Sequence, residues 1–376
     1  MQQEITRELV QSWLPRRQAD SNKGSYGSVL TAAGSLAYRG AAALCAEGAL
    51  RGGAGLVYLA SVEPVVQMVL ARTPECCACG CRTAAGGGIH PQDAAALRSW
   101  FAEKHAVLLA GPGLGEGAGE VCRALLGKNP PWAGAVLDAD ALNALAAGRL
   151  RDPLPENTIL TPHPGEAARL LGCTVADVQA DREQAVLRLA ETYHCVAVLK
   201  GSGTLIAAPG GELLHNAAGN AGLARGGSGD ILAGLTAGLL AAGLKQNRTP
   251  AQMAACAVWL HGTAADRCAR RRSMTAMLPT DIFADLGEIL AEMELYGAAS
   301  LLPSPFIGCI IGLYLHIAGK EPLLCRAKKA KNASCLSFWR FSPARRTKNI
   351  PSACRSWWKN CRSMASWPSA RASTMT

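Results

Sequence analysis

Residues 226–230, Gly-Gly-Ser-Gly-Asp, open a long apolar run that reads as a helix from about Gly229 to Leu244. Glycines ahead of a helix start leave backbone N–H groups unobstructed beside the positive end of the helix dipole, so Gly227, Ser228 and Gly229 make an anion site. Asp230 stands where that helix begins, so its carboxylate can meet a hydroxyl while the amides hold the phosphate that the hydroxyl attacks. A base beside an anion hole is the apparatus of phosphoryl transfer. The same position also suits a plain N-terminal helix acid, worth ~0.3–1 kcal/mol through the dipole. From these residues alone both readings stand.

Other loops carry further candidates. In Lys-Gly-Ser-Gly-Thr, 200–204, Lys200 can bind a phosphate as a point charge and Thr204 can donate a hydrogen bond; the segment is equally a plain hairpin turn. His163 lies between two prolines in an extended loop, with a structural reading beside a functional one. Asp138, Asp140 and Asn143 can bind a ribose or a magnesium phosphate, or cap the helix that follows them. The glycines at 111, 113 and 115 miss the dinucleotide spacing because position 116 is Glu, and no G-x-x-x-x-G-K-[ST] occurs. A nicotinamide-dependent dehydrogenase and a P-loop enzyme are thereby disfavoured.

These loops need a scaffold, and the chain alternates strand and helix patterns. Strands read at 28–34, 55–61, 105–110, 135–138, 158–161, 196–200 and 204–208, with helices at 40–51, 139–147, 165–171, 229–244 and 250–270 between and after them. This predicts an α/β fold with a largely parallel sheet covered on both faces, where ligands sit beyond the carboxyl ends of the strands. The candidate loops all follow strands.

The 376 residues, with 49% hydrophobic and 18% charged, exclude fibrous and disordered classes for most of the length. The net charge of +10 is not spread evenly: residues 297–376 hold 13 Lys/Arg and a single acid, Glu321. The body is therefore close to neutral, and no nucleic-acid partner is expected for it. The tail, with Trp339, Trp357, Trp358 and Trp367 scattered without period, reads as a solvated basic arm, an RNA-binding arm, or sequence that this fold did not shape, as after a frameshift or read-through. The lack of any pattern favours the third. The apolar run 306–318 has 13 residues, below the ~20 of a spanning helix, so no membrane segment is expected. No signal peptide is legible in the first twenty residues, and a cytoplasmic protein is expected. Most of the fifteen cysteines read as buried thiols. Cys76, Cys77, Cys79 and Cys81 read as a loop with reactive thiols rather than as a metal knuckle.

Taken in order, KGSYGSVLTAAGS, GAGLV, AGPGLG, LDADALNAL, LTPHPGEAARLLG, LKGSGTLIA, GNAGLARGGSGDILAGLTAGLLAAG, HGTAAD and LPTDIFADLGEIL resemble the ADP-dependent NAD(P)H-hydrate dehydratases of the ribokinase-like superfamily. The resemblance covers about residues 20–295. It implies a ribokinase-like three-layer sandwich over 21–296, after a leader at 1–20 and before the tail at 297–376. It also implies removal of water from the S epimer of hydrated NADH or NADPH, with ADP converted to AMP and phosphate in the presence of Mg2+.

On that resemblance Asp230 is the base, and the amides of Gly227, Ser228 and Gly229 hold the transferred phosphoryl group. Lys200, Gly201, Ser202, Gly203, Thr204 and Gly229 contact the adenine nucleotide, and Ala41, Gly113, His163 and Asp230 contact the hydrated coenzyme. No metal ligand is assigned directly. Arg225 and Ala221 depart from the expected Thr or Lys and Pro. Many bacterial relatives carry an N-terminal epimerase domain; with about twenty residues ahead of the first motif, a separate epimerase is implied as functional partner, and a homo-oligomer is expected. The competing reading keeps the fold and makes the chain an ATP-dependent kinase of hydroxymethylpyrimidine, hydroxyethylthiazole or a sugar.

Overall fold

The computed structural model describes residues 2–150 and 152–299, so the tail reading lies outside them from residue 300 onward. Ten strands run in chain order: β1 Gln2–Glu4, β2 Ser28–Ala32, β3 Leu56–Val62, β4 Cys77–Cys81, β5 Val107–Ala110, β6 Gly134–Leu137, β7 Thr158–Leu160, β8 Val196–Leu199, β9 Thr204–Ala207 and β10 Leu213–Asn216. The helices are α1 Arg7–Trp13, α2 Arg39–Arg51, α3 Glu63–Leu70, α4 Pro91–Trp100, α5 Ala118–Leu126, α6 Asp140–Ala146, α7 Pro164–Leu171, α8 Val175–Ala180, α9 Arg182–Tyr193, α10 Ser228–Leu244, α11 Pro250–Arg272 and α12 Ile282–Ala299.

The strands form one sheet in the order β1-β10-β9-β8-β7-β6-β5-β2-β3-β4. From β4 to β8 the pairs are parallel; β9 runs antiparallel to both its neighbours. Alternation along the strands builds two cores. Val29, Val57, Leu59, Leu109, Val136 and Val198 face one, together with α2, α10, α11 and α12. Leu30, Ala60, Leu108, Leu137 and Leu199 face the other, with α4 to α7 and α9. A sheet buried on both faces needs such near-continuous apolar strands. The expected three layers are present.

After β1 at one edge, the chain enters the interior of the sheet at β2, moves out through β3 to β4, then returns to β5 on the other side of β2. The loops after β2 and β5 therefore diverge, and such a switch point opens a crevice at the carboxyl ends of the strands.

Two expectations are corrected. Residues 1–20 are not a leader standing apart from the fold. β1 pairs in parallel with β10, Val10 of α1 is fully buried, Arg7 Nη2 lies 3.3 Å from Glu292 Oε2, and Gln11 Nε2 donates to the Met293 carbonyl at 3.0 Å. The cysteine segment is not a loop either: residues 77–81 form the edge strand beside β3. Burial pushes the thiols of Cys76 and Cys81 up to about 12 and that of Cys79 to about 11, so they lack the thiolate character that reactivity requires.

Candidate active site

The site is built at the carboxyl end of the sheet. Asp138 follows β6, His163 and Glu166 follow β7, Lys200 follows β8, and α10 begins beneath them. Lys200 is the hub: its Nζ donates to Asp138 Oδ1 at 2.6 Å and lies 3.8 Å from Glu166 Oε2. A Cβ on Gly229 would lie 3.7 Å from Lys200 Nζ and 3.9 Å from Asp138 Oδ2. The first turn of α10 thus faces this ion pair directly. Lys200 is also tied by its backbone, whose N–H donates to the Pro162 carbonyl at 2.9 Å.

Gly227 caps α10 with φ +97, a left-handed conformation costly for a residue with a Cβ. Asp230 lies in the first turn. Burial foremost, and the Asp138 charge after it, push its carboxyl up to about 6, with Lys200 pulling the other way. A carboxylate poised this close to neutrality is suited to accept a proton, which a dipole-stabilised helix acid alone would not be. Residues 200–204 form the turn of an antiparallel hairpin, as one sequence reading had it, and the first residue of the turn reaches the hub.

Two of the three remaining coenzyme candidates meet elsewhere along the crevice. A Cβ on Gly113 would fall 2.9 Å from the Ala41 Cβ, so these residues touch at the β2/β5 switch point. Ala41 belongs to α2, and Cys45 one turn later donates its thiol to the Asp230 carbonyl at 3.3 Å, which links this pair to the start of α10. His163 caps α7: its Nδ1 accepts from Gly165 and Glu166 N–H at 3.0 and 3.3 Å, while Glu166 Oε2 accepts from the His163 N–H at 2.8 Å. The cap leaves the ring proton on Nε2 in the neutral form. Ser202 and Gly203, in contrast, line a shallow cavity of about 390 Å³ on the outer side of the turn.

Asp140 and Asn143 cap nothing. Asp140 Oδ2 accepts from the Gly115 N–H at 2.9 Å and Asn143 Oδ1 from Arg169 Nε at 3.0 Å, bracing the crevice loops. Asp138 was named in the sequence without being joined to Lys200, and Glu166 stood unremarked within its motif; the signal available was an acid directly after the apolar strand β6. His261 of α11 carried no mark beyond its motif. It is buried, and its Nε2 has no partner among the described residues. Burial pushes its imidazole down to about 4, with the Ser228 backbone opposing and Lys200 assisting the drop.

Asp230 and His261 oppose each other in acid. Asp230 holds its proton more tightly folded than unfolded, so protonation adds stability as pH falls from about 6 toward its ordinary 3.8. His261 holds its proton less tightly folded, so stability is lost as pH falls from 6.5 toward about 4. At ~1.4 kcal/mol per pH unit each effect is on the order of 3 kcal/mol, and the two nearly cancel. Asp230→Asn is therefore expected to lose on the order of 5 °C in Tm between pH 6.5 and 4.5 relative to the wild type, and His261→Gln to gain a similar amount. Parallel Tm profiles for all three proteins would refute this pairing.

Comparison with known proteins shows the family. A family model described as NAD(P)H-hydrate dehydratase matches residues 29–287. The ADP-dependent (S)-NAD(P)H-hydrate dehydratase of Neisseria meningitidis serogroup B is 40% identical over 255 residues, which cover 66% of this chain and 80% of that protein. The bifunctional NAD(P)H-hydrate repair enzyme Nnr of Moorella thermoacetica is 41% identical over 294 residues, 77% of this chain and 54% of that protein. The chain thus spans about half the length of the bifunctional relatives it matches. A solved ADP/ATP-dependent NAD(P)H-hydrate dehydratase from Bacillus subtilis, co-crystallised with ATP and Mg2+, superposes with a TM-score of 0.66 at 31% identity, covering 77% of this chain and 98% of that one. The fold, the ordered motifs and these matches together place the chain in the NAD(P)H-hydrate dehydratase family.

Proposed function

We propose that the chain removes water from the S epimer of hydrated NADH or NADPH by way of phosphorylation, using ADP and releasing AMP and phosphate. The observation that carries this is Asp230: a half-buried carboxyl pushed up to about 6, in the first turn of a glycine-led helix whose Gly229 faces the Lys200–Asp138 pair. The hydroxyl on the reduced ring is a poor leaving group. Asp230 takes its proton as the oxygen attacks the terminal phosphorus of ADP, and AMP departs. The 227–229 amides hold the transferred group. The ring nitrogen lone pair then expels phosphate, and loss of a proton from the neighbouring ring carbon restores the double bond. Ala41 and Gly113 supply a wall without bulk at the switch point, where the reduced ring can approach closely, and the exposed ring of His163, whose Nε2 lies 3.5 Å from Glu166 Oε1, borders the coenzyme.

The hub holds three carboxyl groups, Asp138, Glu166 and Asp230, against one ammonium. Among the described residues no group of three side chains forms a metal cage. This donor set fits a magnesium ion that arrives with the nucleotide and keeps several waters, with Asp138 and Glu166 facing it. Bound there, the ion would neutralise charge developing on the phosphates. ADP binding is accordingly expected to weaken by roughly tenfold or more when magnesium is chelated, as read by calorimetry.

No described helix is long and apolar enough to cross a membrane. Ten cysteines among the described residues are free, which suits the reducing cytosol. The reading calls for an epimerase activity on the R hydrate as functional partner, and for a homo-oligomer, which light scattering would test.

The deciding assay gives the full chain hydrated NADH, magnesium and either ADP or ATP, and follows the return of the reduced-nicotinamide absorbance. Recovery with ADP is expected. Recovery with ATP alone would change the donor, and a stable phosphorylated hydroxymethylpyrimidine, hydroxyethylthiazole or sugar formed from ATP would replace the dehydratase by a kinase.

A further inference from the structure

Arg182 is the first residue of α9, which packs against β8 and β9 on the face of the sheet opposite α10. Its Nη2 donates to the carbonyls of Leu199 and Gly203, both at 3.3 Å, and its Nη1 to Gln179 Oε1 at 3.3 Å. One guanidinium thus joins the two ends of the 200–204 turn. A Cβ on Gly201 would lie 3.0 Å from both Nη1 and Nη2, so the guanidinium lies flat against that glycine, whose φ is +149. Gly203, at φ +66, is closed in from another side: its Cβ would fall 2.9 Å from His215 Nε2. The side chain of Thr204 adds one tie within the turn, to the Gly201 carbonyl at 3.0 Å.

We propose that Arg182 is the positioning residue of the nucleotide turn, setting the peptide planes of 199–204 and bringing Lys200 to the α10 N-terminus. The inference rests on the nucleotide role given to that turn above. In a trans peptide the C=O and the following N–H point in opposite directions. Holding the Leu199 and Gly203 carbonyls on the outer side therefore orients the N–H groups of Lys200 and Thr204 the other way. The Lys200 N–H indeed meets the Pro162 carbonyl at the hub. A lysine could not replace this grip, because an ammonium lacks the planar fork that spans two carbonyls. The partners of Arg182 are carbonyls and an amide, and burial lowers its affinity for its proton without an offsetting carboxylate. A positive charge so placed behind Gly201 also attracts the phosphates that the turn would receive.

The test compares the wild type with Arg182→Ala, Arg182→Gln and Arg182→Lys. It uses calorimetric titration with magnesium-ADP and steady-state kinetics on hydrated NADH. All three variants are expected to raise Kd and KM for ADP by roughly tenfold or more, with kcat within about threefold and KM for the hydrated coenzyme unchanged. Low-millimolar guanidinium should restore ADP binding to the Ala variant and leave its Tm unchanged, a response that mere packing would not produce. An unchanged ADP affinity in variants of a wild type that binds ADP would overturn this inference alone. So would equal weakening of both substrates, or full activity in the Lys variant. A folded wild type that binds no ADP would overturn the nucleotide reading itself, and this inference with it.

Discussion

Asp230→Asn is expected to fold, to bind magnesium-ADP within a few-fold of the wild type, and to lose roughly 10²–10⁴-fold in turnover. The substitution keeps the shape of the side chain and removes its ability to accept a proton. In the wild type the same group should set the acid limb of the rate profile: kcat/KM falls about tenfold per pH unit below about 6, where burial and Asp138 place its carboxyl. The limb should vanish in the residual activity of the variant. Stability should move the opposite way. Above pH 7 the wild type keeps an ionised carboxyl where burial disfavours it, and its removal should raise stability by up to about 3 kcal/mol. A variant that retains near-wild-type kcat would remove Asp230 from the mechanism. One that loses turnover and Tm together at pH 8 would reduce it to a structural acid.

Gly234→Ala is expected to be as damaging for a reason unrelated to chemistry. The α2 and α10 helices meet along glycines: a Cβ on Gly234 would land on the Cys45 carbonyl, one on Gly238 on the Ala49 carbonyl, and one on Gly48 2.8 Å from the Ile231 carbonyl. The obstacle in each case is backbone, which cannot swing aside, so the helices must part. Overpacking of this kind costs ~1–3 kcal/mol where side chains can adjust and more where they cannot, against a whole-domain stability of ~5–15 kcal/mol. Because α2 carries Ala41 and α10 carries Asp230, a separation of about 1 Å should also cost on the order of 10²-fold in kcat. Gly287→Ala in α12, where nothing lies within 4 Å of the added methyl, serves as control and should be neutral or stabilising by ~0.5–1 kcal/mol. Equal Tm and kcat for both variants would show that the seam is looser than its geometry implies.

The strands from β2 to β9 except β4, and the helices α2, α6, α7, α10 and α11, were legible because each is an apolar run of the length and period that its layer demands; α3, α4, α5, α8 and α9 were not read from the sequence. Cys-Ala-Cys-Gly-Cys has neither β-branched residues nor polar alternation, and it becomes a strand only because β3 offers a free edge. Gln2–Glu4 is exposed along its whole length and pairs with β10 through its backbone, with a contact of 3.6 Å between His215 Nδ1 and Glu4 Oε2. No side-chain pattern could announce it. In the site, Asp230 was legible because its glycines precede it directly. The Lys200–Asp138 pair spans 62 positions and the Arg182 grip 17 and 21, so both depend on how the sheet orders its strands. His261 was illegible for a further reason: a lone histidine in a helix carries no sign of whether folding will strip it of solvent and leave its Nε2 without a partner among the described residues.

The surplus of carboxyl groups around Lys200 also bears on how a turnover ends. A nucleotide enters with its own counterion and finds the acids useful; inorganic phosphate, left without that escort, is a multiply charged anion beside Asp138 and Glu166 with a single ammonium already shared between them. The repulsion works as a one-way valve. On the proposed reaction it favours departure of the spent anion over its return, and weak inhibition by phosphate is expected.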